Sequence, residues 1–374
     1  MILSLIVLLL FSFQQPKPFI PVEGANLKAK IDNAIVAGRA NAVNGRFWVA
    51  YQFEVRPGVA VDFEIVNGNG VYVWNDDNSF SSDPRYETRE LGLFLMYDTQ
   101  REAFIRADVY NLRRNHEYSN YPVYWAGRIS NEESLNYLKS IIDSPAADPN
   151  SIANRALYAL SLHDDARVDG ILIELLRRPA AEQLRLRAIS LLGTTPESQT
   201  KNTLLGEIVG NEKETSEARR TALSSLSMSR SAAMLPVFQN LFETLIAPDL
   251  RRLALQGIAR NDNSDAAATY LIRVAEKETD TSVRRSAVAN LGRIASQKAL
   301  NALTSTVDSD ADVEIQKQAV VAIGRRPKDE SVPILIRIAR NHPKMPVRKT
   351  AVQVLGQTGD ERAVAFFREL LSKE

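Results

Sequence analysis

Three histidines and no cysteine limit the chemistry that the side chains of this chain can do. Without cysteine there are no disulfides, no thiolate metal sites and no sulfur nucleophile. His116, His163 and His342 are scattered along the sequence. A Ser-His-Asp triad would have to use one of them, and a histidine-rich metal centre lacks its ligands. Glu117 follows His116, but no second histidine stands where H-E-x-x-H needs one. His163-Asp164-Asp165 reads as a helix C-terminus and turn. The run WNDDN (Trp74 to Asn78) has half the look of a calcium loop but lacks the downstream Gly and Glu. NGNG (Asn67 to Gly70) follows a strand pattern with no helix after it, so it reads as a hairpin turn and not a phosphate loop. These patterns lead to no expected catalytic residue, cofactor or metal. The chemistry-bearing residue that does recur at fixed spacing is arginine.

The frame for that recurrence is a repeated decapeptide. VRRSAVANLG (Val283 to Gly292) returns as VRKTAVQVLG (Val347 to Gly356). Its central Ala recurs as Ala156, Ala188, Ala222, Ala254, Ala287, Ala319 and Ala351, at spacings of 32, 34, 32, 33, 32 and 32. Four residues later stand Leu160, Leu192, Leu226, Ile258, Leu291, Ile323 and Leu355, each followed by Ser, Gly or Ala. Four before stand Ile152, Leu184, Ala218, Leu250, Val283, Ile315 and Val347. Positions four apart share a helix face, so each repeat contributes one helix with this side buried. Second amphipathic stretches lie between them, such as ATYLIRVAEK and VPILIRIARN. A period near 32 residues holding two helices predicts an α-solenoid of about seven helical hairpins over residues 129–374.

Two basic rows ride on this frame. Three before the Ala are Arg185, Arg219, Arg251, Arg284 and Arg348, with Ala153 and Gln316 as departures. Two before it are Arg220, Arg252, Arg285, Lys317 and Lys349, while Asn154 and Leu186 break the row in the first two repeats. Six after it are Arg260, Arg293 and Arg325. Positions two before and six after fall on one helix stripe, rotated away from the Ala-Leu face. Stacked helices would bring successive charges about a Debye length apart, which could hold an acidic partner.

The preceding region, residues 21–128, has another texture. It is rich in aromatics and broken by Gly, Asn and Pro. Six runs read as strands joined by short turns: Arg46 to Val55, Val59 to Val66, VYVW, Leu91 to Asp98, Glu102 to Tyr110 and Tyr121 to Gly127. They predict a small antiparallel β sandwich or barrel-like domain, making the chain α+β and multidomain. Most of its aromatics, among them Phe47, Trp48, Tyr51, Phe53 and Tyr124, are expected in the core of so small a sheet domain. Residues 1–20 open with an almost wholly apolar run, Met1 to Phe13, closed by Pro16 and Pro18. This suits a signal peptide or an uncleaved N-terminal anchor, hence an exported protein of the periplasm or extracellular space, with a membrane tether through residues 1–13 as the alternative. Lys and Arg number 46 against 45 Asp and Glu, so any electrostatic signal is local. No aromatics interleave with the basic rows, and nucleic acid is not the expected partner.

The pattern V-R-x-x-A-x-x-x-L-G at this period resembles the HEAT-repeat superfamily, above all the short bacterial repeats named after phycobilisome lyases. The resemblance spans about Asn131 to Glu374. It implies a right-handed solenoid whose Val-Arg-x-x-Ala helices line a concave face. It also implies that Arg185, Arg219, Arg251, Arg284 and Arg348 form a structural ladder with acids near the interhelical turns, where Asp280 and Asp312 stand. Members serve as scaffolds, adaptors and, in some cases, enzymes. The implied role is a non-catalytic scaffold of the cell envelope that binds a protein or acidic peptide through Arg220, Arg252, Arg285, Lys317, Lys349, Arg260, Arg293 and Arg325. The alternative is a bilin-lyase-like enzyme or subunit, or an active site in the β domain. Oligomeric state is left open.

Overall fold

The computed structural model describes residues 19–61, 63–67, 70–74, 87–144, 152–177 and 182–372. The apolar run Met1 to Phe13 and all of WNDDN beyond Trp74 lie outside them. Contacts divide the chain into two compact units, one ending at Ala188 and one beginning at Ile189.

In the first unit, β1 (Ile20–Pro21) leads to α1 (Leu27–Asn41), followed by β2 (Arg46–Phe53), β3 (Phe63–Asn67), β4 (Gly70–Trp74), β5 (Leu91–Asp98), β6 (Ala103–Asn111) and β7 (Val123–Arg128). Five strands form one sheet in the order β1-β7-β2-β5-β6, and β3 and β4 form a separate ribbon. Asn67 pairs with Gly70 across that ribbon, as the NGNG turn predicts. The sheet is mixed: β2, β5 and β6 pair antiparallel, whereas β7 runs parallel to both β1 and β2. Short turns imply hairpins and hence the purely antiparallel sheet expected from the sequence. The longer return from β6 to β7 permits a parallel neighbour instead.

The helix α1 was not anticipated, since its segment sits among strand-like runs. Its signals are nonetheless local. The Asn26 side chain accepts the Ala29 N–H as an N-cap, and Leu27, Ile31, Ala34 and Gly38 form one buried stripe. A Cβ on Gly38 would stand 2.4 Å from the Phe47 ring, so glycine lets the helix lie directly on β2. On the sheet, Trp48, Ala50, Phe94, Met96 and Val123 form a buried cluster. Phe47, Tyr51, Phe53 and Tyr124 are buried too, as expected of the aromatics.

The helical part of this unit begins with α2 (Asn131–Ile142), α3 (Ile152–Ser161), α4 (Arg167–Arg177) and the first residues of α5 (Glu182–Leu192). Here α3 packs both on α2 and on β6. The sequence changes texture at Asn131, but its first helices cluster with the sheet.

The second unit continues with α6 (Gln199–Gly210), α7 (Ser216–Leu226), α8 (Leu235–Thr244), α9 (Pro248–Arg260), α10 (Ser264–Lys277), α11 (Thr281–Leu291), α12 (Gln297–Ser309), α13 (Val313–Ile323), α14 (Lys328–Asn341), α15 (Met345–Thr358) and α16 (Glu361–Leu371). The odd helices α7, α9, α11, α13 and α15 pack side by side in one row, and each packs on the even helix before it. The Ala-Leu frame is the reason. Ala222, Ala254, Ala287, Ala319 and Ala351 are wholly buried, and the aliphatic residues four before and after them are buried with them. The small residue that follows the frame is a matter of clearance. A Cβ on Gly292 would lie 2.5 Å from the Ala322 carbonyl oxygen of the next row helix, whereas one on Gly356 would meet nothing within 4 Å. Among the described residues, no helix is long and apolar enough to cross a membrane.

Candidate functional site

The ladder arginines are half-buried, and their bonds run inward. Arg219 Nε donates to the Val209 carbonyl at 2.8 Å, and Arg284 Nε to that of Ala275 at 2.7 Å. Arg251 Nε reaches Phe242 O at 3.4 Å, with its guanidinium over the Phe242 ring. Each of these carbonyls ends the even helix that precedes the arginine's own. The same side chains then bridge forward. Arg251 pairs with Glu278 at 2.6 Å, and Arg284 pairs with Asp310.

This corrects the expected partners. Glu278 and Asp310 are the C-cap residues of α10 and α12, one repeat ahead of the arginine. Asp280 and Asp312 instead cap the N-termini of α11 and α13 through their first backbone N–H groups. In the next repeat the arginine is replaced by Gln316, and the acid by His342, the C-cap of α14. His342 Nε2 lies 3.0 Å from the Val307 carbonyl, the counterpart of Ala275 O, and its Nδ1 faces the Lys344 N–H at 3.2 Å. These bonds assign the Nε2–H tautomer. The histidine thus fills from one side the bond that arginine fills from the other. Arg348 closes the series by donating to His342 O at 2.6 Å. Arg185, on α5, is half-buried like the rest.

The second basic set faces outward. Arg220, Arg285, Lys349, Arg260, Arg293 and Arg325 are exposed, and Arg252 and Lys317 are half-buried. Two of these cations have carboxylate partners among the described residues: Arg220 with Asp249 at 2.9 Å and Lys317 with Glu314 at 3.0 Å. Three meet neutral oxygens: Arg252 the Ser282 hydroxyl, Arg260 the Ser227 carbonyl and Arg325 the Ala289 carbonyl. Arg260 and Arg325 therefore also compensate the partial negative charge at the end of a neighbouring helix. The charge of the face is reduced by these contacts but not cancelled.

Where the C-terminal turns of α7, α9 and α11 come together, the surface opens into a groove of about 640 Å³. Arg260 and Arg293 stand on it one repeat apart, Arg230 stands beside them held by Asp262 at 3.2 Å, and Met228 and Ile294 supply apolar wall. Asn261 is fixed by donating to Ser231 O at 2.7 Å. Two exposed guanidinium groups next to a thioether suit an acidic side chain carried on an aliphatic stem. The sequence pointed to Arg260 and Arg293 but not to the groove, because turns after helices carry no periodic signal.

In the first unit, His163 has partners that sequence reasoning missed. Its Nε2 lies 2.7 Å from Ser134 Oγ, which lies 3.0 Å from the Tyr51 hydroxyl. Its Nδ1 donates to Ala159 O at 2.9 Å, and its ring stacks on Phe53. Serine beside histidine is also the arrangement of a nucleophile and its base. Here, however, Ser134 and His163 are buried, and a backbone carbonyl holds Nδ1 in place of a carboxylate. Burial pulls the imidazole down to about 4. The network is a fully bonded polar joint between β2 and the first helices. No group of three or more His, Asp or Glu among the described residues could hold a metal ion.

Comparison with known proteins bears on the second unit. The family model for HEAT repeats matches residues 241–313 and 306–374. No curated protein matches the sequence. Human deoxyhypusine hydroxylase is similar at 13% identity and a TM-score of 0.32, over 64% of this chain and 90% of that one. The CpcE–CpcF complex of phycocyanin lyase from Nostoc sp. is similar at 15% identity and 0.33, over 65% and 94%. Escherichia coli YibA is similar at 14% identity and 0.37, over 71% and 94%. At these scores no functional property carries over. The family model lies over stacked, evenly spaced helical hairpins, so residues 241–374 are HEAT repeats.

Proposed function

We propose that the chain is a non-catalytic binding scaffold whose outward basic face on the α7–α15 row takes an acidic protein segment, with the Arg260–Arg293 groove as its anchor. The observation that carries this reading is the separation of two basic rows within one repeat. The ladder arginines are bonded into the repeat, while the neighbouring row keeps its cations outside, in register across five helices and with few carboxylates to neutralise them. Cations aligned on a rigid frame raise the local concentration of an anionic partner and fix its register.

The test is a titration of a fluorescein-labelled poly-glutamate peptide against the full chain by anisotropy. Charge reversal at Arg260 and Arg293 should weaken binding about tenfold or more. Reversal at Arg252, Arg285 and Lys317 should weaken it less, and added salt should weaken all binding. Unchanged affinity in both variants would reject the reading. We further propose from Met1 to Phe13 that the chain is exported. N-terminal sequencing of the protein from its native cell, with fractionation, checks this; a cytosolic protein starting at Met1 would overturn it.

A further inference from the structure

A second candidate site lies within the first unit. Arg46 at the start of β2, Arg106 on β6 and Arg155 on α3 converge on a pocket of about 390 Å³, with Met96 and Ile105 as apolar lining and Ser119 and Tyr121 on its edge. We propose that this pocket binds a small organic oxyanion carrying one negative charge, a carboxylate or phosphodiester, with its apolar body against Met96 and Ile105.

Acceptors and donors are unevenly used there. Asp98 and Asp108 are the buried carboxylates beside the pocket. Asp98 accepts Arg46 Nε at 3.2 Å on one oxygen and the backbone N–H groups of Gln100 and Arg101 on the other. Asp108 accepts Arg106 Nε at 2.6 Å and the Tyr110 hydroxyl at 3.1 Å on one oxygen, and Arg155 Nη1 at 3.1 Å on the other. Both carboxylates are thus occupied on each oxygen.

The arginines are not used up in the same way. Each guanidinium has five N–H donors; the bonds just named engage one nitrogen of each, and Arg46 also meets the Tyr121 hydroxyl, which still leaves donors over. The three side chains remain between 43% and 48% exposed. Among the described residues, the hydrogen-bond capacity left on the charged groups of this pocket is therefore donor capacity, and three guanidinium groups against two carboxylates leave one positive charge. A monoanion supplies both the missing acceptors and the missing charge.

The backbone at the rim points the same way. Tyr118, Ser119 and Asn120 all have positive φ, of 45°, 54° and 59°, and none is glycine. Such a run persists only where its surroundings hold it. Trp48 Nε1 donates to Tyr118 O at 2.8 Å, and the Asn120 N–H donates to Glu117 O. The strained turn is what brings Ser119 to the pocket edge.

Trp48 also offers a readout, because the Arg106 guanidinium lies 5.8 Å from its ring centre. Benzoate and dimethyl phosphate are titrated into the full chain at constant ionic strength, followed by tryptophan fluorescence and calorimetry. Inorganic phosphate and chloride serve as comparisons. Saturable binding of either monoanion, weakened about tenfold or more in Arg155→Gln, is expected. Ile105→Trp fills the pocket without touching a charge and should abolish binding; it decides the matter if Arg155→Gln disturbs the fold. No saturable binding of either monoanion overturns the proposal, as does binding untouched by Ile105→Trp. Tighter binding of inorganic phosphate than of both monoanions overturns the single-charge assignment.

Discussion

The two units use polar groups in opposite ways. In the second, a bond made once is made again about one repeat later. Arg251 with Phe242 O and Glu278 is followed by Arg284 with Ala275 O and Asp310, and then by His342 with Val307 O. In the first, each polar joint is unique and spans distant segments, as Tyr51 to Ser134 to His163 does, or Arg56 to the Ser161 carbonyl. A repeated unit can lose one rung and keep its neighbours, whereas a unique joint has no second copy. The repeat unit should therefore respond locally to damage, and the sheet unit as a whole. All three tryptophans, Trp48, Trp74 and Trp125, lie in the first unit, so their fluorescence reports on it alone.

The largest expected effect is a cavity in the repeat. Leu291→Ala removes a buried side chain and should cost about 2–5 kcal/mol. Hydrogen exchange should locate that loss in α11 and its neighbours while the tryptophan transition stays in place. A matching shift of the tryptophan transition would break the contrast.

Next is acid sensitivity in the first unit. Folding lowers the His163 pKa from the usual 6.5 or so to about 4. Between those values the unfolded state binds more protons, so stability rises with pH through that window. The sign is thus a loss on acidification that begins near pH 6.5 and reaches about 3 kcal/mol by pH 4. Urea melts followed by tryptophan fluorescence should show this slope in the parent chain and not in His163→Gln. An identical slope in both would remove His163 as its cause.

Smaller still is the ladder. A double-mutant cycle on Arg284 and Asp310 should give a coupling of about 1 kcal/mol, since both side chains are only partly exposed. Zero coupling would make the row decorative. A pair of glycines adds a test of sign rather than of size. Gly292→Ala should destabilise by about 1–3 kcal/mol through the clash with the Ala322 carbonyl. Gly356→Ala, at a helical position with open space, should stabilise by about 0.5–1 kcal/mol. Thermal melts of the two variants should move in opposite directions.

How much could be read from the sequence follows the same division. The buried rows around Ala287 and the outward row around Arg285 were legible because a period of 32 residues writes one environment many times. Even there, the ladder's acids were placed two residues late. A partner in the next repeat and a cap in the same turn look alike in sequence, and Glu278-Thr279-Asp280 offers both. In the sheet unit the aromatic core could be inferred from residue type. The parallel placement of β7 and the joint between Ser134 and His163 could not, because each depends on segments meeting that share no local pattern. The arginine pocket had no signal at all, being built from β2, β6 and α3.

We propose the outward basic face of the repeat unit as the surface that binds an acidic segment. It is tested most directly by hydrogen exchange on the full chain with and without the poly-glutamate peptide. Protection should appear at the turns ending α7, α9 and α11, around Met228, Asn261 and Ile294, and fade in the Arg260→Glu/Arg293→Glu variant. Protection confined to the sheet strands, or unchanged by that variant, would contradict it.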